Sequence, residues 1–324
     1  MPSPTIIATA PLKPAAVEIL KPFGDLVVMP DYSMATLFPH LENAIAVALR
    51  GDGFFPEDAL EAAPNLKVLG RTGVGYDKVC VAAATKRKIP VVYTPGVGAR
   101  AVAEGAMAWM LALSKNVLKW NAEMQAGNWS SREAMQNDGL EGTTLGVIGF
   151  GRIGQQLAKM AAPCDMSILA YDPFVSAEVA ESLAVEMVEL DDLMSRADFI
   201  SVHAAATAEN RGLINRQRLA GVKRGAYFLN LARGSLVDNL DDLHDALVDG
   251  RLAGVGIDVF EPEPPDLSHP LCRHANCLSA PHTIAGSKYS TNKIHQVMAE
   301  QMAAVLRGQR PQLVVNPQIY VAEE

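Results

Sequence analysis

Two doubly wound parallel-sheet α/β domains, one inserted into the other, are what this sequence predicts, and three observations lead there. Short apolar runs alternate with helical patterns along nearly all of the 324 residues, as in parallel sheets joined by helical crossovers. A glycine-rich turn, Gly149-Phe150-Gly151-Arg152-Ile153-Gly154, lies between a strand-like run, Thr144-Leu145-Gly146-Val147-Ile148, and a helical pattern. That turn falls near the middle of the chain, so a substantial unit precedes it.

In chain order, strand-like runs at 5–8, 26–29, 44–49, 66–70 and 90–93 are separated by helical segments near 14–20, 57–62 and 79–87. This is a small parallel α/β unit. Residues 101–118 read as one apolar helix, with Val102, Ala106, Trp109, Met110, Leu113 and Val117 at helical spacing. A polar, irregular segment carrying Trp120 and Trp129 is expected to follow as far as 142, and exposed aromatics there predict a partner surface. Six strand-like runs then come at 145–148, 167–171, 199–203, 226–231, 253–259 and 276–280, a full doubly wound complement. A last helix from Ser290 to Leu306 carries Ile294, Val297, Met298, Met302 and Val305 on one face, and 311–317 returns as an extended tail.

The turn itself has a chemical reading. Gly149 permits a tight turn, Gly151 lets backbone approach a pyrophosphate, and Gly154 lets helix and strand pack closely. Arg152 and Ile153 open the helix, whose leading N–H groups favour phosphate. Downstream, the run Ser167-Ile168-Leu169-Ala170-Tyr171 ends at Asp172. An acid about 20 residues past the first glycine accepts hydrogen bonds from a ribose and repels a 2′-phosphate, which favours NAD over NADP. The chain therefore divides into a Rossmann NAD-binding domain at 100–287, inserted into a smaller flavodoxin-like substrate domain built from 1–99 and 288–324.

Bulk properties narrow the function further. A net charge of −8 and a pI near 5.4 argue against a nucleic-acid surface. No apolar run approaches 18 residues, so no membrane span is expected, and the N-terminus lacks the pattern of a secretory signal. A cytoplasmic protein with reduced thiols is the expectation. Its four cysteines, Cys80, Cys164, Cys272 and Cys277, form no CxxC pair. Cys272 and Cys277 lie near His269 and His274, but the spacing fits no zinc pattern, so no metal is expected.

In open α/β sheets, ligands bind outside the carboxyl ends of the strands. Arg233 follows the run at 226–231, Glu263 follows 253–259, and His282 follows 276–280. Beside a nicotinamide these suit hydride transfer to a 2-keto acid. The planar guanidinium of Arg233 can hold a carboxylate with two parallel hydrogen bonds and polarise the keto oxygen. His282 is the proton donor and acceptor, and Glu263 orients its ring. His203, at the end of Phe199-Ile200-Ser201-Val202, is placed near the cofactor.

The chain resembles the D-isomer-specific 2-hydroxyacid dehydrogenase family along nearly its whole length. The resemblance rests on Gly70-Arg71-Thr72-Gly73-Val74-Gly75-Tyr76-Asp77, Val102-Ala103-Glu104, Gly149 to Gly154, and Asn230-Leu231-Ala232-Arg233-Gly234-Ser235-Leu236-Val237-Asp238. It continues in Asp258-Val259-Phe260-Glu261-Pro262-Glu263-Pro264 and Pro281-His282. It implies Arg233, Glu263 and His282 as the catalytic set, Ala232 and a supporting Asp258 beside the cofactor, and N–H groups of the loop Gly73-Val74-Gly75 for the substrate carboxylate. Arg50 and Arg71 fall where relatives acting on 3-phosphoglycerate carry substrate-contacting arginines, with Asp52 close to Arg50 as a competing partner. The resemblance further implies a closing cleft and a homodimer, with 101–142 as the dimer arm. His203-Ala204-Ala205-Ala206-Thr207 departs from the His-x-Pro-Leu-Thr of many relatives, and Gly105 replaces a bulkier residue. The substrate is left open among 3-phosphoglycerate, hydroxypyruvate and glyoxylate. The competing class is a nucleotide-sensing corepressor or binding module of the same fold.

Overall fold

The computed structural model describes residues 4–321 apart from Met135 and Ala285. The chain divides into two compact units, Met1–Gly98 with Ser287–Glu324, and Ala99–Gly286. The smaller contains five strands: β1 (Thr5–Ala8), β2 (Asp25–Val28), β3 (Ala44–Leu49), β4 (Val68–Arg71) and β5 (Val91–Val92). They pair in parallel in the order β2-β1-β3-β4-β5. β3 reads Ala-Ile-Ala-Val-Ala-Leu and is buried almost throughout, as a parallel strand covered on both faces must be.

The helix Lys288–Leu306 returns to this unit. It starts with a reciprocal Ser287–Ser290 capping box, which satisfies orphan N–H groups of the first turn. Met298, Ala299, Met302 and Ala303 are buried, and β4 accommodates them through Gly70, where a Cβ would meet Met302 Sδ at 2.3 Å. The tail follows as expected, bridging Val314 to Val92. One helix in this unit, Met34–Leu41, was not anticipated. It is capped by Ser33, whose side chain accepts from Thr36 N–H.

Among the described residues, the larger unit holds seven parallel strands rather than six. They are β6 (Thr144–Ile148), β7 (Ser167–Tyr171), β8 (Glu186–Met187), β9 (Phe199–Val202), β10 (Ala226–Asn230), β11 (Leu252–Ile257) and β12 (Cys277–Ser279), in the order β12-β11-β10-β9-β6-β7-β8. The additional strand, β8, has two residues and a partly polar edge character, too short to register as an apolar run. The order reverses between β6 and β9, which is the topological switch point where ligands bind.

The helix expected at 101–118 spans Ala99–Ser114 and ends because Asn116 adopts a left-handed conformation, φ 51°, which asparagine tolerates. The segment expected to be irregular is instead a helix, Val117–Gln125, followed by a 3-10 turn, Trp129–Ala134. The hydrophilic average hid its periodicity. Trp120 is half-buried there, its Nε1 donating to Asn137 Oδ1 at 2.8 Å, whereas Trp129 is exposed. All four cysteines are unbridged, and among the described residues no helix is long and apolar enough to cross a membrane.

Candidate active site

The glycine turn leaves β6 at the switch point. Gly149 has φ 91°, and a Cβ there would meet Ala204 N at 2.4 Å, so β9's exit segment packs directly on the turn. A Cβ on Gly154 would meet Gly149 O at 2.4 Å, while Gly151 faces open space. Two glycines thus permit close packing and the third leaves room for a ligand. The helix Arg152–Ala161 starts at Gly151 with no side-chain cap, and its leading N–H groups are left for a ligand. Arg152 is exposed and Ile153 half-buried in its first turn.

Asp172, just past β7, has a structural task as well as the expected one. Its Oδ2 accepts from Phe150 N at 2.8 Å and its Oδ1 from Phe174 N at 2.9 Å. It holds the glycine turn in place, and each oxygen keeps further lone-pair capacity. His203, following β9, bonds Ser201 Oγ through Nε2 at 2.8 Å. Its Nδ1 is shut away from water without a hydrogen-bond partner. Burial pushes the imidazole down to about 4, so it is neutral at physiological pH.

The next three strand ends carry Arg233, Glu263 and His282, the residues expected to react. β10 ends at Asn230, which is 1% exposed. Its side-chain amide brackets the following loop, Oδ1 accepting from Ala232 N at 3.1 Å and Nδ2 donating to Arg233 O at 2.9 Å. Arg233 Nη1 donates to Ala232 O at 2.8 Å. A Cβ on Gly234 would lie 2.1 Å from Phe260 C, so the arginine loop touches the loop after β11 backbone to backbone. There Glu263 Oε1 accepts from Phe260 N at 3.1 Å, and Oε2 faces His282 Nδ1 at 3.1 Å.

His282 follows β12 with φ 54°, a conformation that non-glycine residues seldom take and that surrounding bonds must impose. Asp258 imposes it. The Asp258 carbonyl accepts from His282 N at 2.8 Å, and its carboxylate Oδ1 accepts from Thr283 N at 2.7 Å and Ile284 N at 3.1 Å. Burial lifts the Asp258 carboxyl above its ordinary range, with those N–H groups and the His282 charge opposing. With Nδ1 committed to Glu263, Nε2 is the His282 nitrogen left for proton transfer.

In the smaller unit, Arg71 ends β4 and its Nε donates to Gly75 O at 2.9 Å. Gly73 has φ 98°, and its N–H donates to Thr94 Oγ1 at 2.9 Å. Of the three N–H groups expected to receive a carboxylate, that of Gly73 is therefore occupied. Those of Val74 and Gly75 have no partner among the described residues. Arg50 follows β3 and donates from Nη1 to Pro11 O. Asp52 pairs with Lys78 instead of Arg50.

Asn230 and Gly234 are positioning residues that residue-type reasoning passed over. A polar side chain ending the apolar run Ala-Tyr-Phe-Leu-Asn was the available signal for Asn230. For Gly234 no local signal exists, because the backbone it touches is remote in sequence.

Residues 107–283 match the family model of the D-isomer specific 2-hydroxyacid dehydrogenase NAD binding domain. A D-3-phosphoglycerate dehydrogenase from Methanocaldococcus jannaschii is 38% identical over 312 residues, covering 96% of this chain and 59% of that protein. The chain spans somewhat over half the length of the phosphoglycerate dehydrogenases it matches. A hydroxypyruvate reductase from Thermotoga maritima is 38% identical over 247 residues, covering 76% of this chain and 79% of that one. The solved structure of a D-lactate dehydrogenase from Aquifex aeolicus, complexed with NAD and lactic acid, superposes with a TM-score of 0.87 at 26% identity, covering 96% of this chain and 99% of that one.

Proposed function

Because the chain belongs to the D-isomer specific 2-hydroxyacid dehydrogenase family, we propose that it is an NAD-dependent oxidoreductase. Its substrate is a small 2-hydroxy or 2-keto acid of the 3-phosphoglycerate, hydroxypyruvate or glyoxylate type. The observation that carries this reading is the Glu263–His282 pair, 3.1 Å apart, at strand ends neighbouring that of Arg233.

The residues around the switch point suit a dinucleotide. The turn has open space at Gly151, the helix start is uncapped, and the Asp172 carboxylate keeps capacity for a ribose. His203, whose backbone packs on Gly149, leaves its Nδ1 unpartnered. The nicotinamide, when bound, supplies hydride to the keto carbon or takes it from the hydroxyl-bearing carbon.

Arg233 holds the substrate carboxylate with parallel N–H bonds and polarises the keto oxygen. In reduction, His282 Nε2–H gives its proton to that oxygen as C=O becomes C–OH. In oxidation, neutral His282 accepts the hydroxyl proton at Nε2 as the carbon loses hydride and C–OH becomes C=O. Glu263 fixes the tautomer through Nδ1 and offsets the charge of the imidazolium. Asp258 and Ala232 line the cofactor side. In the smaller unit we assign Val74 and Gly75 N–H to the substrate carboxylate, Gly73 to the turn that presents them, Arg71 to bracing that loop, and Arg50 to the substrate.

We assign homodimerisation to the 101–142 region, supported by exposed Leu111, Val117, Leu118, Met124 and Trp129. A cytoplasmic location accords with the unbridged cysteines.

The test is the initial rate of NADH and NADPH oxidation with hydroxypyruvate, glyoxylate, pyruvate, 2-ketobutyrate and phosphohydroxypyruvate. Turnover of at least one acid with NADH preferred supports the reading, and Asp172→Ala is expected to erode that preference. No turnover of any acid by the folded protein would overturn it.

A further inference from the structure

We propose that Gly105, in the helix Ala99–Ser114, is a positioning residue for His282. It sets how closely the segment after the histidine approaches that helix, and through it where the imidazole stands. The proposal rests on the oxidoreductase reading above and adds a residue that acts on the reaction through the histidine loop.

The loop that carries His282 is held from two directions. From the sheet, Asp258 takes three successive N–H groups. Its carbonyl accepts that of His282, and its Oδ1 accepts those of Thr283 and Ile284. Such bonds fix the N–H groups of a segment and leave its carbonyls to other partners. The Ile284 carbonyl meets the helix Ala99–Ser114 at Gly105. A Cβ on Gly105 would lie 3.1 Å from Ile284 O, 3.3 Å from Ile284 C and 3.3 Å from Ile284 Cγ2. Ordinary C···O contacts stand at about 3.3–3.6 Å. The Ile284 side chain packs on the core that contains Ala103, Ala106 and Met110 of the same helix. The loop therefore cannot back away without losing apolar contact. Just beyond, Gly286 N–H closes on Thr283 O at 2.7 Å.

Glycine is an unfavourable choice for the helix itself. Gly105 is buried in the helix interior, where glycine loses more backbone freedom on folding than alanine does. Alanine serves the same buried face at Ala101, Ala103 and Ala106, so a small apolar side chain would satisfy packing alone. What alanine cannot give at this position is the approach of Ile284 O. His282 holds φ 54°, which persists only while its surroundings impose it, and its Nδ1 stands 3.1 Å from Glu263 Oε2. A displacement of Ile284 is passed along the intervening peptide units to that residue, where the proton-transfer geometry is decided.

The test is a size series at one position, Gly105→Ala and Gly105→Val. Ala108→Gly is the control for helix strength, since Ala108 is exposed on the same helix. Rates are read with NADH and the best keto acid of the wild type. A 1 Å misplacement of reacting groups costs up to about a hundredfold in rate, so the smaller shift in Gly105→Ala is expected to lower kcat roughly threefold to tenfold. Gly105→Val is expected to lose more. KM for the keto acid, and NADH affinity by fluorescence titration, are expected to hold at wild-type values in Gly105→Ala. The solvent deuterium isotope effect on kcat is expected to rise there, as proton transfer at His282 becomes limiting. Ala108→Gly is expected to lower Tm and leave kcat unchanged.

A wild-type kcat in Gly105→Ala overturns the proposal, as does a loss of NADH affinity in place of kcat. An equal kcat loss in Ala108→Gly overturns it too, because helix strength would then set the rate. If the folded wild type turns over no acid, the oxidoreductase reading fails, and the contact is read on the imidazole itself. The ring-nitrogen NMR resonances of His282, identified by their loss in His282→Ala, are then expected to shift in Gly105→Ala and not in Ala108→Gly. Resonances unmoved in Gly105→Ala, or moved equally in both variants, overturn the positioning role as well.

Discussion

The two units solve the same problem, holding loops at the carboxyl edge of a parallel sheet, with opposite chemistry. In the seven-stranded unit acids hold backbone N–H groups at three loops, while the Asn230 amide brackets the arginine loop. Asp172 holds the glycine turn, Glu263 holds Phe260, and Asp258 holds Thr283 and Ile284. In the five-stranded unit, bases and a hydroxyl hold backbone groups. Arg71 grips Gly75 O, Arg50 grips Pro11 O, and Thr94 holds Gly73. In the first unit the residue that supports the loop and the residue we assign to the reaction are different, Asp258 and His282. In the second, Arg50 braces Pro11 O and is also the residue we assign to the substrate. On these assignments, mutations are expected to separate support from chemistry in the larger unit and to merge them in the smaller.

His282→Ala gives the largest effect. kcat is expected to fall about 10²–10⁴-fold, the range for a lost general acid–base group. NADH binding by fluorescence titration is expected to stay within about twofold, because the loop support remains in Asp258. A parallel loss of NADH affinity would mean that the two tasks are not separated there.

Asp258→Ala probes support alone. Two N–H groups lose their acceptor, at about 1–3 kcal/mol for each that stays unsatisfied, so urea denaturation is expected to show a matching loss. kcat should fall with it as His282 leaves its positive-φ conformation. Asp258→Asn keeps an Oδ1 acceptor and is expected to restore most of the stability. An Asn variant as unstable as the Ala variant would show that the carboxylate charge, and not the acceptor, does the holding.

In the smaller unit, acid stability reads the buried histidine. His295 is held near 4 against an ordinary value of 6.5, so the unfolded chain takes up the proton first as pH falls. The stability tied to the neutral ring is complete above about pH 6.5 and is lost progressively toward pH 4. At pH 4.5 the loss amounts to about 2 kcal/mol. His295→Gln is therefore expected to narrow the difference between urea midpoints at pH 7 and pH 4.5, and an unchanged difference would remove His295 from the acid response.

The smallest effect is expected from Arg71→Met, which releases Gly75 O. Loss of one hydrogen bond of about 1 kcal/mol loosens the loop, so KM for the keto acid is expected to rise about tenfold or less. kcat should change little, since the residues we assign to the reaction lie in the other unit. A kcat loss matching that of His282→Ala would break the comparison.

Much of this is legible in the sequence. The glycine turn, Asp172 and the strand-end triplet Arg233, Glu263 and His282 were readable because each is tied to its neighbours along the chain. A strand, a turn and a helix start occupy consecutive residues, and their periodicities change at the boundary. β8 and the helix Val117–Gln125 were missed for the converse reason. One is too short and the other too polar for a periodic signal, and both depend on packing partners supplied by the fold.

The sequence by itself determined the α/β class, the parallel sheets, the cofactor turn and which polar side chains follow the strand ends, since local hydrophobic period and turn chemistry are properties of adjacent residues. Only the tertiary structure decided that Asp258 imposes the conformation of His282, that Gly234 lies against Phe260, and that Gly73 gives up its N–H to Thr94. It alone brought His295 to Lys13 across 282 residues. These pairings join residues far apart in the chain. Sheet order, and not sequence spacing, sets which strand ends become neighbours and which buried polar atoms must find one another.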